Sequence, residues 1–293
     1  MPELPEVQTI ASDLNDAVRG LTIAEAAVGC EKIIVGGVEE FRRRLAGAEI
    51  EEVRRLGKWL HFRLTGRLLT GRPTKRPVEK APAHLLVHLK MTGQFQLGPW
   101  PAKGLWPKHI HAALRLSGRP NEALLYRDIR KFGRLRAFDQ TGFEVFMEEL
   151  NLGPDPLIVT AGEFHGRLTA RRGRLKAVLL DQTVMSGFGN IYADESLFAA
   201  RLSPLASAAG LSRAETGRLL KAARRIFTAA IAARGSTTSN YQGLRGGGTF
   251  QARHQVYGRA GLPCPACGTT ILRLLVGGRS THVCPACQGA RVL

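Results

Sequence analysis

The sequence is short of three things: cysteine, acidic side chains and unbroken apolar runs. Its 293 residues include five cysteines, and four of them fall in two C-x-x-C pairs near the C-terminus, leaving Cys30 alone. That usage argues against a disulfide framework and suits a reducing compartment with a metal site. No stretch approaches the ~18 apolar residues that a membrane span needs. The segment MPELPEVQTI carries Glu3 and Glu6 where a signal peptide would be basic, so a cytoplasmic protein is expected. Asp and Glu number 24 against 42 Lys and Arg, a formal net charge of +18 spread along the chain. A polyanionic partner, nucleic acid first, is therefore the default. Arginine supplies most of the excess and grips phosphates bidentately, although a codon bias would give the same skew.

What is present is enough for about two domains, with 44% hydrophobic residues to fill their cores. Val7, Ile10, Leu14 and Val18 recur at helical spacing between Pro5 and Arg19, and Gly20 stops the run. Strands are expected over Leu21–Val28, Trp59–Leu64, His84–Met91, His111–Leu116 and Ala123–Ile129, with a helical patch near Phe41–Leu45; such a set suggests a sandwich or barrel. The Pro- and charge-rich stretch Gly66–Pro82 reads as an exposed loop or insertion. Beyond Asn151 helical periods dominate through Leu179, Asn190–Arg201 and Leu211–Ala233, so the domain boundary is placed there. Gly-rich Gly235–Gly248 then leads into the cysteine-rich tail, and no fixed-period repeat is seen.

Cys264-x2-Cys267, sixteen residues, then Cys284-x2-Cys287 is the spacing of a four-thiolate zinc site. Four thiolates close the shell, whereas a catalytic zinc leaves a position for water, so this metal is expected to staple the fold. Between the pairs, TILRLLVGGRSTHV reads as two strands and a turn with Arg279 at or near its tip. That guanidinium is either aimed rigidly at a phosphate or simply exposed. At the other end, removal of Met1 would give Pro2 a free secondary amine. An α-amine titrates near ~8, well below lysine, and can attack a sugar carbon to give an iminium. Glu3 could serve beside it as acid or base. The same residues also suit an ordinary first helical turn.

MPELPEV, HLKMTG at His88–Gly93, DIRKFG at Asp128–Gly133, LLDQTVMSGFGNIYADE at Leu179–Glu195 and the tail VYGRAGLPCPACG…GRSTHVCPACQ together resemble the formamidopyrimidine-DNA glycosylases. The blocks occur in the family's order and span nearly the whole chain. The Leu-Pro of MPELPEV favours this branch over the related endonuclease VIII branch, which typically begins Pro-Glu-Gly-Pro-Glu.

The resemblance implies an α+β fold: an N-terminal β-sandwich bearing the catalytic helix (1–150), a helical helix-two-turn-helix domain (151–247) and a zinc-finger β-hairpin (248–293). It implies a bifunctional DNA glycosylase and abasic-site lyase of base excision repair, a monomer on damaged double-stranded DNA near the nucleoid, with one structural zinc and no membrane partner. By motif match Pro2 is the Schiff-base nucleophile, Glu3 the acid/base, Lys58 the family's catalytic lysine, and Arg279 completes the catalytic set. Met91, Arg130 and Phe132 match the residues inserted where the damaged nucleotide leaves the stack, because enzymes acting on a base must extrude it and refill the gap. Asn190, His109 and Arg172 match DNA-contacting positions. Taken singly, Met91 and Phe132 would be core residues, Lys58 a solvated charge and Asn190 a helix N-cap. Alternatives are an endonuclease VIII-like enzyme for oxidised pyrimidines, and a non-catalytic damage-binding zinc protein that retains Met1. The chain departs from the pattern at Lys90, where many members have Gly, and at Arg172, where Lys is usual. The 66–82 insertion is long, and TTSNYQGLRGGGTFQ is about one residue short for a lesion-capping loop.

Overall fold

Apolar residues three and four apart along the first turns place one stripe on the core side of helix α1 (Leu4–Val18), burying Val7, Ile10, Leu14 and Val18. Gly20, at φ 78°, then takes the left-handed conformation that stops it. The computed structural model describes residues 1–67, 80–102, 105–237 and 243–289. They form two units, one of Met1–Pro2, Glu6–Glu149 and Thr237–Gly248, the other of Glu3–Pro5, Leu150–Ser236 and Thr249–Leu293.

The first unit holds eight strands among the described residues: β1 (Ile23–Val28), β2 (Glu49–Leu56), β3 (Trp59–Arg67), β4 (Lys80–His88), β5 (Gly93–Gly98), β6 (Ile110–Leu116), β7 (Ala123–Asp128) and β8 (Arg134–Asp139). They make two antiparallel four-stranded sheets, ordered β1-β6-β7-β5 and β2-β3-β4-β8. Alternate residues of both, Leu60, Phe62 and Leu64 from one and Phe95, Leu114, Leu124 and Tyr126 from the other, share a core with the α1 stripe. That is the sandwich. Strands β2, β5 and β8 escape the hydrophobic pattern. EIEEVRRL buries only Ile50 and Val53, and β5 begins and ends in glycine. Helix α2 (Val38–Leu45) covers the expected patch, while α3 (Gln140–Leu150) is unexpected: it has no fully buried residue and is held by Phe143 stacked on His84 at 4.0 Å and His61 at 4.8 Å.

Two expectations need correction here. The β3–β4 ladder runs from Trp59↔His88 out to Arg67↔Lys80, so the ends of the predicted loop 66–82 are strand, and 68–79 lie outside the described residues. Strand β4 stops at His88, which leaves Met91 on a turn.

The second unit contains α4 (Ala161–Thr169), α5 (Leu175–Leu180), α6 (Asn190–Ala199) and α7 (Arg213–Ala232). Helix α7 opens on a capping box in which Ser212 and Glu215 satisfy each other's backbone N–H groups. Leu4 joins Phe164, Leu179, Phe188, Tyr192, Phe227 and Phe250 in the core. The hairpin β9 (Leu272–Val276) and β10 (Arg279–Val283) turns on Gly277 and Gly278, both at positive φ, as a two-residue loop requires. A short helix, α8 (Pro285–Gln288), follows. No helix among the described residues is long and apolar enough to cross a membrane.

Candidate functional site

In the second unit, the site is built around the first turn of α6. Glu3, 3% exposed, accepts hydrogen bonds from the Ile191 N–H at 2.9 Å and the Tyr192 N–H at 3.2 Å. These are donors that a helix start leaves unpaired and that carry the positive end of its dipole, so a carboxylate is the natural occupant. The fit depends on glycine. A Cβ on Gly189 would lie 2.2 Å from Glu3 Cδ, and one on Gly187 would lie 2.9 Å from Leu4 Cβ. Leu4 N–H donates to Gly187 O at 3.1 Å, which completes the seat. Pro2 is buried beside this anchor in the chain, and Met1 is exposed.

The rest of α6 ties down the hairpin. Asn190 is the first helical residue and Gly189 the cap, so Asn190 is not the N-cap; its Nδ2 donates to Ser280 O at 2.9 Å, next to Arg279. Lys176 and Asp194, both fully buried, pair at 2.6 Å, and Lys176 Nζ also donates to Ser280 O and Thr281 Oγ1. Asp194 Oδ2 accepts both the backbone N–H and the Nδ1–H of His282. Burial pulls the Lys176 ammonium below its usual range, opposed by Asp194. Removing one member would strand a buried charge, at a cost of about 3–5 kcal/mol. Glu195 accepts from the N–H groups of Gln255, Val256 and Tyr257, although burial still pushes its carboxyl up. Sequence reasoning missed Lys176, Asp194, Glu195 and the two glycines. The run GFGN opening a helix and the DE pair inside an apolar one were the available signals. Arg279 is exposed at the start of β10. Arg172 is exposed on the α4–α5 connection.

Below the hairpin, Cys264, Cys267, Cys284 and Cys287 place their sulfurs within 4.8 Å of one another. Individual S···S separations of 3.4–3.9 Å bracket the edge of about 3.8 Å that a tetrahedron with Zn–S near 2.3 Å would have. The donor set and spacing fit one structural zinc.

In the first unit, two turns present the expected wedge residues. Asp128, fully buried, accepts from Thr92 Oγ1, from Arg130 N–H at 3.2 Å and from Gly133 N–H at 2.7 Å. The Arg130 N–H also reaches Thr92 Oγ1 at 3.1 Å, so one carboxylate and one hydroxyl lace the Lys90–Thr92 turn to the Arg130–Gly133 turn. Met91 is 44% exposed and Phe132 42%, so neither is a core residue, and the Arg130 guanidinium lies over the Phe132 ring at 4.6 Å. Gly133 is obligatory, since a Cβ there would fall 1.7 Å from Tyr126 Oη. His109, half-buried at φ 69°, accepts the Asp128 N–H through its carbonyl at 2.9 Å. Lys58 sits in the β2–β3 turn and is 7% exposed, so it is not a solvated charge. Burial, with Lys90 and Lys58 nearby, lowers the His88 imidazole to about 3. His88 was not anticipated.

Comparison with known proteins covers the chain end to end. Residues 1–135 match the formamidopyrimidine-DNA glycosylase N-terminal domain, 152–242 the H2TH domain of the same enzymes, and 261–289 a zinc finger found in FPG and IleRS. The formamidopyrimidine-DNA glycosylase of Thermus thermophilus is 41% identical over 299 residues, covering 99% of both chains, and that of Thermomicrobium roseum 40%, covering 98% of this chain and 99% of its own. A point mutant of Lactococcus lactis FPG, solved in complex with DNA containing Fapy-dG, superposes with a TM-score of 0.86 at 30% identity, covering 99% of this chain and 100% of its own. With the carboxylate-anchored N-terminus, the four-thiolate hairpin and these full-length likenesses in agreement, the chain belongs to the formamidopyrimidine-DNA glycosylase family.

Proposed function

We propose that the chain is a bifunctional DNA glycosylase and abasic-site lyase of base excision repair, removing oxidised purines such as 8-oxoguanine and formamidopyrimidines from duplex DNA. The observation that supports this reading is the fixing of Glu3, the residue after Pro2 in the chain, on the α6 amides. The Lactococcus relative on Fapy-dG DNA supports the substrate class. Once Met1 is removed, the Pro2 nitrogen attacks C1′ of the extruded nucleotide. The bond from C1′ to the base breaks, the base leaves with that electron pair and a proton, and Glu3 protonates the sugar oxygen as the ring opens. Loss of the Pro2 N–H proton leaves an iminium at C1′. The iminium acidifies C2′–H, so its removal expels the 3′ phosphate, and a second elimination expels the 5′ phosphate.

Lys58 serves as the catalytic lysine, while Arg279, Asn190, His109 and Arg172 hold phosphates. Met91 and Phe132 refill the stack, and Arg130 faces the orphaned base. The work divides among 1–150, 151–247 and 248–293 as catalytic, helical and zinc-finger segments, in a monomer.

Borohydride should trap the protein on abasic DNA by reducing the imine, and Pro2→Gly should lose most of that trapping. Full trapping by the variant would move the role to a lysine, Lys58 first. A panel of single-lesion duplexes separates this reading from an enzyme for oxidised pyrimidines. Absent trapping together with a retained Met1 by intact mass would leave a damage-binding protein.

A further inference from the structure

Each exposed wedge residue follows a lysine in a backbone region that side chains avoid: Lys90 at φ 52° precedes Met91, and Lys131 at φ 56° precedes Phe132. A bulky residue held there signals strain that something else justifies. Glycine would relieve it at Lys90, and the turn is already tight, with Lys90 N–H donating to His88 Nδ1 at 3.0 Å and Gly93 N–H to Leu89 O at 3.0 Å. Lys90 is exposed, and its ammonium makes no ion pair among the described residues. Lys58 and Lys90 both act on the half-buried His88, whose imidazole is held neutral, so neither cation is neutralised there.

We infer that Lys90 is a further DNA-contacting residue: its ammonium neutralises a backbone phosphate beside the gap that Met91 enters. This rests on the glycosylase reading above. The tight turn fixes the Lys90 backbone next to Met91, so its ammonium is within side-chain reach of the phosphates flanking the gap.

The test is affinity for a duplex carrying one tetrahydrofuran abasic-site analogue, which cannot be processed, measured over a salt series. The parent should show a steep negative slope of log K against log[salt]. Lys90→Gly should make that slope less negative by about 0.9 and weaken binding roughly eightfold near 0.1 M salt, the worth of one phosphate contact. Its thermal midpoint should not fall, because glycine suits the conformation. Lys90→Arg should restore the parent slope. A Lys90→Gly slope equal to the parent's, or an Arg variant that behaves like Gly, would overturn the inference. A flat slope for the parent would overturn the DNA reading on which it rests.

Discussion

Gly189→Ala isolates the seat of the N-terminus from everything else in the protein. Gly189 sits at φ −128° and ψ −165°, extended backbone open to any residue, so the substitution brings no conformational penalty of its own. The added methyl is the whole perturbation. It would stand 2.2 Å from Glu3 Cδ and 2.5 Å from Cγ and Oε1, all well inside the 3.4 Å where ordinary contact begins. Glu3 must move by more than an ångström, and with it go two charge-assisted amide bonds, each worth about 1.5–3 kcal/mol. The N-terminal segment can swing away more cheaply than α6 can distort. The protein should therefore stay folded with the proposed Pro2 nucleophile misplaced, and a displacement of about 1 Å costs on the order of 10²-fold in rate. Single-turnover borohydride trapping on abasic DNA should slow by about that factor, while affinity for a tetrahydrofuran duplex and zinc content stay near the parent's. Trapping at the parent rate with Ala at 189 would show that the Glu3 seat does not position Pro2.

Native mass spectrometry should show one zinc per chain, which Cys264→Ser should release with weakened DNA binding, whereas Arg279→Ala should keep the metal and lose affinity alone; normal binding after metal removal would contradict the staple. Met91→Ala and Phe132→Ala should lose excision of a damaged base far more than cleavage at a preformed abasic site, because no base need be expelled there; equal losses would sink the wedge role. Burial lowers His61 and His88 to about 3 and His254 to about 4, against about 6.5 unfolded. Below pH ~6.5 the unfolded chain binds protons that the folded one refuses. Stability should be full above that value and fall as pH drops towards 4, by up to about 1.4 kcal/mol per pH unit per imidazole. A thermal midpoint flat from about pH 7 to 5 would refute this.

How much of this was legible in the sequence follows from what each residue answers to. Helix α1 buries helically spaced apolar residues and β3 alternate ones, so period finds them, whereas β4, β6 and β7 stand out as short, almost wholly buried apolar runs. Strand β2 hides because its charged residues pair across the ladder, as Glu51 does with Arg63 of β3 at 3.0 Å, and only two side chains enter the core. The cysteine pairs were legible because zinc dictates their spacing. Met91 and Phe132 read locally as core and are not: what exposes them is the Asp128–Thr92 lacing, a contact across 36 residues that no local pattern announces.

Helix α6 is the extreme case, and its opacity has the same cause as its importance. Ile191 through Phe198 are all buried, so the helix has no polar face to set its period against. Yet three charged groups end there. Glu3 lands on its first amides, Asp194 pairs with Lys176 and holds His282 of the hairpin, and Glu195 takes three successive amides ahead of the zinc ligands. Buried carboxylates are tolerable only where hydrogen bonds and cations meet them, so each fixes its partner segment in one place. Within the second unit, the Glu3 anchor and the hairpin carrying Arg279 are thus referred to one rigid rod. A substitution at Asp194 or Lys176 would be felt at Ser280 and Arg279 without touching DNA.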